Sequence, residues 1–287
     1  MDLISPPVFF STAGASPCDV AFPASFLPSS LPSLRLFFLQ IHDNYAEVNH
    51  EICRMTFIHY IPIVTTLFCV YFFYVLYQHW KSKPEAKHIF WWMLGVFFYG
   101  AGTVTESINT LFGFSVANFK AWYILGALLG GAPLAQGTVY LFMKRKTADI
   151  LTVILVTVVV VTSILVILSP VHPELIVNNR MTGKILEWKF IRYITPFINI
   201  YAFCFLVGGA IISAIKYFRN NIYSRYLGNI FIALGGLLPG IGGSFTKFGY
   251  VEVLYVTELL GILLIYSGYL VIRSEKSLKN PALLRVH

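Results

Sequence analysis

The chain has 287 residues, of which 57% are hydrophobic and 12% charged, and its mean hydropathy is +0.71. Soluble domains carry about 25% charged residues, so the composition excludes a soluble globular protein and indicates a lipid-embedded one. The net charge of +8 does not indicate nucleic-acid binding, because the basic residues concentrate in alternate connections between apolar stretches.

The first 54 residues differ from the rest of the chain. They are rich in Pro, Ser, Ala and Phe, and they lack the basic start of a signal peptide. Two interpretations stay open: residues 1–54 are a disordered outer tail, or they are an over-extended gene start and the native chain begins at Met55. Cys18 and Cys53 lie on this outer side and are able to pair, and the four cysteines of the chain show no metal-binding spacing.

Seven apolar stretches then follow, and each has about the 20 residues that a spanning helix needs. The sequence therefore predicts an all-α, seven-transmembrane-helix bundle over residues 55–274, followed by a short cytoplasmic tail, 275–287. The predicted spans are 57–79, 89–112, 119–143, 149–169, 190–217, 226–248 and 250–272.

The orientation follows from the basic residues, since cytoplasmic loops collect Lys and Arg. Alternate connections and the C-terminal tail hold thirteen of the 21 basic residues and only three acids, Glu85, Asp149 and Glu275. We therefore expect the N-terminus outside and the C-terminus inside, with membrane lipids as partners of the basic loops. The thirteen are Lys81, Lys83, Lys87, Lys144, Arg145, Lys146, Lys216, Arg219, Arg225, Arg273, Lys276, Lys279 and Arg285.

Ionisable residues inside the spans indicate where a site lies, because such groups are costly in lipid and normally face protein or water. Glu106 lies in the outer half of span two, and Gly95, Gly102, Asn109 and Gly113 share its helical face. The same depth in other spans holds a small set of polar residues. With Glu106 and Asn109, the candidate ligand-binding residues are Glu258, Lys247, Asn199 and His59.

Span six has the features of a moving helix. Gly236, Gly240, Gly243 and Lys247 follow one another at helical spacing, which predicts a glycine face towards the bundle interior. Pro239 removes a backbone hydrogen bond and predicts a kink, so Pro239 and Gly240 are the expected hinge. Near the inner end of span three, Gln136, Thr138 and Tyr140 predict interhelical hydrogen bonds.

The carboxylates Glu106 and Glu258 leave three interpretations open. They can form a structural ion pair with Lys247, a ligand or ion site, or a proton relay. Span seven contains no lysine for a retinal Schiff base, and only His59 lies within a span, which argues against a zinc site. No hydrolase, nucleotide or haem motif is present, so we expect no enzyme, no cofactor and no metal.

The stretch Lys87–Lys146 carries "GTVTESINTLFG" and "FKAWYILGALLGGAPLAQGTVYLF". It resembles the seven-helix N-terminal membrane sensor region of bacterial histidine kinases in three features: a Glu in the second span, a Lys/Trp pair opening the third, and the small-and-Pro stretch Gly130–Pro133. The resemblance implies a sensor bundle with an outer ligand pocket. The chain departs from that family after Arg273, where no kinase follows.

The sequence thus predicts a multi-pass protein of a bacterial-type inner or plasma membrane, of sensor or receptor-like type. A small ligand or cation would enter an outward-facing polar pocket, and a separate cytoplasmic signalling protein would receive the output. Two alternatives stay open: a small transporter or proton-coupled carrier that uses the same carboxylates, and a structural or assembly subunit of the membrane.

Overall fold

A computed structural model describes residues 57–175 and 181–278, without the side chains of Pro173, Lys247 and 275–278. In these ranges the fold is helical and contains no strand, with one isolated bridge between Val171 and Leu186. The all-α prediction is confirmed. The helices are α1 (Ile61–Ser82), α2 (Lys87–Phe112), α3 (Val116–Trp122), α4 (Ala132–Phe142), α5 (Arg145–Leu168), α6 (Ile191–Ala202), α7 (Gly209–Arg219), α8 (Tyr223–Phe245) and α9 (Val251–Leu278).

Two spans are built from two helices each. α3 runs into α4 through a π-helix, Tyr123–Leu128, and the short break Leu129–Gly131. α6 runs into α7 through a second π-helix, Phe203–Gly208. Pro196 lies inside α6, where it withdraws one backbone donor. These irregular segments fall in the middle of hydrophobic stretches, where only neighbouring protein can satisfy the freed backbone groups.

Six helical segments of the described chain are long and apolar enough to cross a membrane. By helix length and composition this is a membrane protein. α2 is not among the six, although it is a helix of 26 residues. The six are Ile61–Ser82, Val116–Phe142, Arg145–Leu168, Ile191–Arg219, Tyr223–Phe245 and Val251–Ser274.

Local signals explain where the helices begin and end. Pro62 lies in the first turn of α1 and Pro133 in that of α4, where the missing donor costs nothing. Gly113 follows α2 with a φ of 79°, and Ser115 then caps α3 by accepting from the amide of Asn118 at 3.1 Å. Gly249 adopts a left-handed φ of 93° before α9, which lets the chain reverse in a few residues.

The helices pack as a ring in the order α1, α2, α3–α4, α6–α7, α8 and α9, which returns to α1. α5 packs against α4 and α6, and most of its surface stays exposed. α2 and α9 are separated in the ring by α1, yet their side chains meet inside it: the Tyr99 hydroxyl donates to the main-chain oxygen of Glu258 at 2.8 Å. The ring interior is therefore the place where the carboxylates of spans two and seven can meet.

The closest helix pair is α8 with α9, and glycines make the contact. A Cβ placed on Gly235 would lie 2.6 Å from the carbonyl oxygen of Gly261, and one on Gly261 would lie 2.8 Å from that of Gly235. Gly228 meets Gly268 in the same way, with 2.9 Å between a Cβ and the opposing carbonyl oxygen. The two backbones thus touch at intervals of seven residues, and α8 and α9 form a closely packed hairpin.

The predicted interior face of span six is wrong. Gly240 is exposed, and a Cβ at Gly240 or Gly243 would meet nothing within 4 Å, whereas Gly236 faces Leu206 of the second π-helix. The glycines that pack against α9 are Gly228, Gly235 and Gly242, and the last two each come one position before a glycine of the predicted face. The sequence holds adjacent glycine pairs, and a shift of one residue turns the helix face by about 100°. Pro239 lies within α8, which continues to Phe245.

The connection between α5 and α6 reaches back into the helix bundle. Met181, Ile185 and Leu186 are almost completely buried, and they join the hydrophobic cluster that contains Trp122 and Ile198. Leu186 is 2% exposed and so lies inside the protein, not at its surface. The described part of the connection, residues 181–186, therefore packs against the helices of the ring.

Several sequence predictions lie outside the described residues. They concern the N-terminal segment 1–54 with its two cysteines, the chain start at Met55, and the tail beyond residue 278. The chain divides into two units, residues 1–58 and 59–287, and all helices above belong to the second unit.

Candidate functional site

Glu106 is buried on the inward face of α2. Its exposed fraction is 2%, and Gly95, Gly102 and Asn109 are buried on the same face, as predicted. One carboxyl oxygen, Oε1, accepts a hydrogen bond from the indole Nε1 of Trp122 at 2.9 Å. The other oxygen, Oε2, is buried and has no hydrogen-bond partner.

Glycines in α2 and in the π-helix of span three place Trp122 against Glu106. A Cβ on Gly102 would lie 3.1 Å from the Cα of Gly126, so the two backbones approach closely there. The two segments are antiparallel, so the residue four positions after Gly102 faces the residue four positions before Gly126. Glu106 therefore faces Trp122, and the indole N–H reaches the carboxyl group.

Glu258 of α9 meets Glu106 inside the ring. The two carboxyl groups are within hydrogen-bonding reach of each other. Glu258 is only half-buried as a residue, but its Oε2 is inaccessible to solvent and, like Oε2 of Glu106, has no hydrogen-bond partner. The site is thus a facing pair of carboxyl groups, which we call the carboxyl pair, with one unsatisfied buried oxygen on each side.

Two unsatisfied oxygens are chemically informative because a buried polar group without a partner costs about 1–3 kcal/mol, and more if it is charged. Carboxylates only accept hydrogen bonds, and two of them cannot satisfy each other. A proton or a cation between them would satisfy both. The arrangement is therefore suited to bind a positive species.

The structure brings together only part of the predicted site. Asn109 is buried one turn from Glu106. His59 lies at the start of α1, with its Nε2 at 4.0 Å from Oε1 of Glu252 and its ring edge-on to Tyr255. Glu252 is almost two turns from Glu258 along α9, so His59 belongs to a separate group at the helix end.

The structure does not bring Asn199 to the carboxyl pair. Its side chain is exposed, because α6 buries Ile191, Thr195, Ile198 and Ala202 on one face. Asn199 follows Ile198 and points away from that face. For Lys247, the structure describes the backbone, in a short 3-10 helix after α8, while its side chain lies outside the described residues.

Trp122, Tyr99 and Cys69 are residues of the site that the sequence did not reveal. Trp122 bonds Glu106, and Tyr99 bonds the main chain of Glu258. Cys69 of α1 is buried beside Gly100 of α2. Trp122 could be recognised only from the pairing of Gly102 with Gly126, and this pairing cannot be known until the helix that faces α2 is known.

A second group of hydrogen-bonded polar residues lies away from the carboxyl pair and joins α2, α4, α5 and α6. Gln136 donates to Thr152 at 2.7 Å, Tyr140 donates to Asp149 at 2.6 Å, and Lys87 donates to the same Asp149 oxygen at 2.7 Å. The Tyr201 hydroxyl donates to Gln136. Interhelical hydrogen bonds were predicted for Gln136 and Tyr140 and are confirmed. Thr138 bonds only within its own helix, to Leu134.

An apolar cavity of ≈ 410 Å³ lies between α2, span three and α5. Leu129, Ala132 and Pro133, at the break in span three, form part of its wall, and Ser163 is one of its few polar residues. The cavity offers no charged group to a polar ligand. Among the described residues, no three His, Cys, Asp or Glu side chains come together to hold a metal ion.

No protein-family model, no curated protein and no solved structure matches this chain.

Proposed function

We propose that this chain is a sensor or receptor-like protein with seven membrane spans, and that the carboxyl pair is its ligand site. The observation that carries the proposal is the pair of buried, unsatisfied oxygens of Glu106 and Glu258, on helices that α1 separates in the ring. A positive species bound there joins α2 to α9, and its loss leaves two facing acceptors that separate them. Binding thus shifts a conformational equilibrium.

The glycine contacts give this shift a defined moving part. α8 and α9 touch through their backbones at Gly228, Gly235, Gly261 and Gly268, so a displacement of Glu258 carries α8 with it. The connection between α7 and α8 holds Asn221 and lies beside Arg219 and Arg225. A cytoplasmic signalling partner would read the position of this basic connection, which agrees with the resemblance to kinase-linked sensor regions.

The seventh span in this proposal is α2. Its 26 residues extend over about 39 Å at 1.5 Å per residue, which is enough to cross a bilayer. Its hydropathy is reduced by the same polar and small residues that build the site. With α2 counted, the basic connections fall on one side, and the positive-inside rule places the N-terminus outside and the C-terminus in the cytoplasm of a bacterial-type cell.

The orientation is testable with single cysteines in a variant in which Cys18, Cys53, Cys69 and Cys204 are replaced by serine. We expect cysteines at Lys83, Lys146 and Asn221 to react with a membrane-impermeant thiol reagent only after the cells are opened. Cysteines at Phe114 and Lys184 should react in intact cells. If Lys83 and Asn221 react from opposite sides, α2 does not span and the seven-span topology is wrong.

The sensor proposal is testable by distance measurements between spin labels at Lys83 and Asn221 in lipid bilayers. We expect the distance to change by several ångströms when pH is varied over roughly 5 to 8 or when sodium is added. Glu106→Gln and Glu258→Gln should each abolish the change, and Glu252→Gln, the matched carboxylate outside the pair, should preserve it. A distance that responds to neither condition contradicts the sensor proposal.

A carrier is the second candidate, and the broken third span is the observation that favours it. Discontinuous helices build the substrate sites of many transporters, and span three is interrupted at Leu129–Gly131. Proteoliposomes separate the two functions: a carrier moves protons or radioactive sodium down an imposed gradient and loses this flux in Glu258→Gln, whereas a sensor moves neither. An assembly subunit would show no flux and no distance change, and the Gln variants would alter folding alone.

A further inference from the structure

We propose that Glu106 and Glu258 hold one proton between them, so that the ligand of the site is H⁺. This inference names the ligand of the proposed sensor and rests on that proposal for its role. The sharing of the proton itself follows from the geometry of the carboxyl pair and can be measured separately.

The geometry assigns a role to three of the four carboxyl oxygens. Trp122 already supplies the donor for Oε1 of Glu106. The Oε2 atoms of both residues are buried without a partner, and the carboxyl groups are neighbours. If one carboxyl group is protonated, its O–H donates to the ionised group of the other, and one proton serves both residues. Two ionised groups would leave both oxygens unsatisfied and add like-charge repulsion.

The described surroundings provide no fixed cation in place of the proton. From α1, Cys69 is the titratable group near Glu258, and from α2 the neighbours are Tyr99 and Glu106 itself. Span three contributes Trp122, a neutral donor. From α8, the glycine register places Leu238 opposite Glu258, and the titratable residues of that helix are at its far end, at Tyr223, Arg225 and Tyr226.

Two more titratable groups of α9 lie within two turns of Glu258. Tyr255 is one turn from Glu258, and Glu252 lies almost two turns away, beside His59. Lys247 follows α8 in the sequence, and its side chain is not described, so the experiment must distinguish a lysine from a proton at the pair.

A metal cation fits the site less well than a proton. Sodium-sized and larger hard cations take about six or more oxygen ligands. The carboxyl pair offers few, since Tyr99 directs its hydroxyl to a main-chain oxygen and Trp122 is only a donor. The site is also closed by close helix packing at Gly102. A proton needs two oxygens and no additional space.

Infrared spectroscopy of the full chain in bilayers tests the inference, because a protonated carboxyl group has a carbonyl stretch separate from the carboxylate and amide bands. We expect wild-type protein near neutral pH to show one buried protonated carboxyl group per chain, with a band that shifts in D₂O. Raising the pH should remove this band as the shared proton leaves. This titration needs no variant and so does not depend on the folding of a mutant.

Variants then assign the band. Glu106→Gln and Glu258→Gln should each abolish it, because the amide donates to the remaining carboxylate and no proton is needed. Glu252→Gln should leave it unchanged. The inference is wrong if the wild type shows no such band, if the band survives in both Gln variants, or if the band is absent until Lys247→Met creates it, which would show a lysine at the pair.

The two proposals fail in different ways. If the infrared band is present and is lost in the Gln variants, but the Lys83–Asn221 distance does not change with pH, the shared proton is supported and the sensor function is wrong. If the Lys83–Asn221 distance changes with sodium and no infrared band is found, the sensor function is supported and the proton is not its ligand.

Discussion

Replacing Gly235 with alanine is expected to destabilise the folded protein by about 2 kcal/mol or more. The new methyl group would lie 2.6 Å from the carbonyl oxygen of Gly261 and 2.9 Å from the amide nitrogen of Ile265. Both are backbone atoms, so the clash cannot be relieved by a rotamer change, and overpacking of this kind costs about 1–3 kcal/mol, occasionally more. The loss exceeds the helix-propensity gain of up to about 1 kcal/mol.

The measurement is the melting temperature of purified protein in detergent, compared with Gly240→Ala. Gly240 is on the same helix, but a Cβ there meets nothing within 4 Å. This control should be neutral or slightly stabilising through helix propensity. If Gly235→Ala is as stable as Gly240→Ala, α8 and α9 do not touch through their backbones and the closely packed hairpin is wrong.

Replacing Gln136 with leucine is expected to destabilise the protein by about 2–4 kcal/mol. Gln136 is fully buried and joins three spans: it donates to Thr152 at 2.7 Å and to the Ala148 carbonyl at 3.2 Å, and it accepts from Tyr201. Hydrogen bonds between membrane helices average about 0.6 kcal/mol each. The partly buried Tyr201 hydroxyl would also lose its acceptor, and a buried polar group left without a partner costs about 1–3 kcal/mol.

The matched control is Thr138→Val in the same helix, since the Thr138 hydroxyl makes only a long bond of 3.4 Å to Leu134. It should change the melting temperature little. Tyr201→Phe combined with Gln136→Leu should cost less than the sum of the single changes, because both remove the same bond. Additive losses would show that the two side chains do not interact.

The helices could be predicted because apolar length and turn residues are local properties. The predicted spans agree with the observed helices to within about four residues for most boundaries, as with 89–112 against Lys87–Phe112. The buried face of α2 could be predicted too, since Gly95, Gly102, Glu106 and Asn109 lie on one side of a regular helix. Such a face depends only on residues in one segment.

The rest of the site depends on how helices face one another, which a single sequence does not specify. Gly235 and Gly236 are equally good small residues, and only packing against α9 selects the first. Asn199 is polar at the predicted depth, yet α6 turns it outwards because Ile198 and Ala202 fill the inner face. Trp122 lies at the site because Gly102 packs against Gly126, and these two glycines belong to different spans.

The buried residues of the connection between α5 and α6 impose a free-energy cost on a ligand that approaches from that end. A molecule that reaches Trp122 from that end must first displace Met181, Ile185 and Leu186, each of which is almost inaccessible. Exposing three such side chains costs about 5–9 kcal/mol, which weakens the apparent affinity of an organic ligand by roughly three orders of magnitude or more. Protons move between hydrogen-bonding groups without opening the fold, so under the proposed function this burial favours a proton over an organic molecule as the ligand of the carboxyl pair.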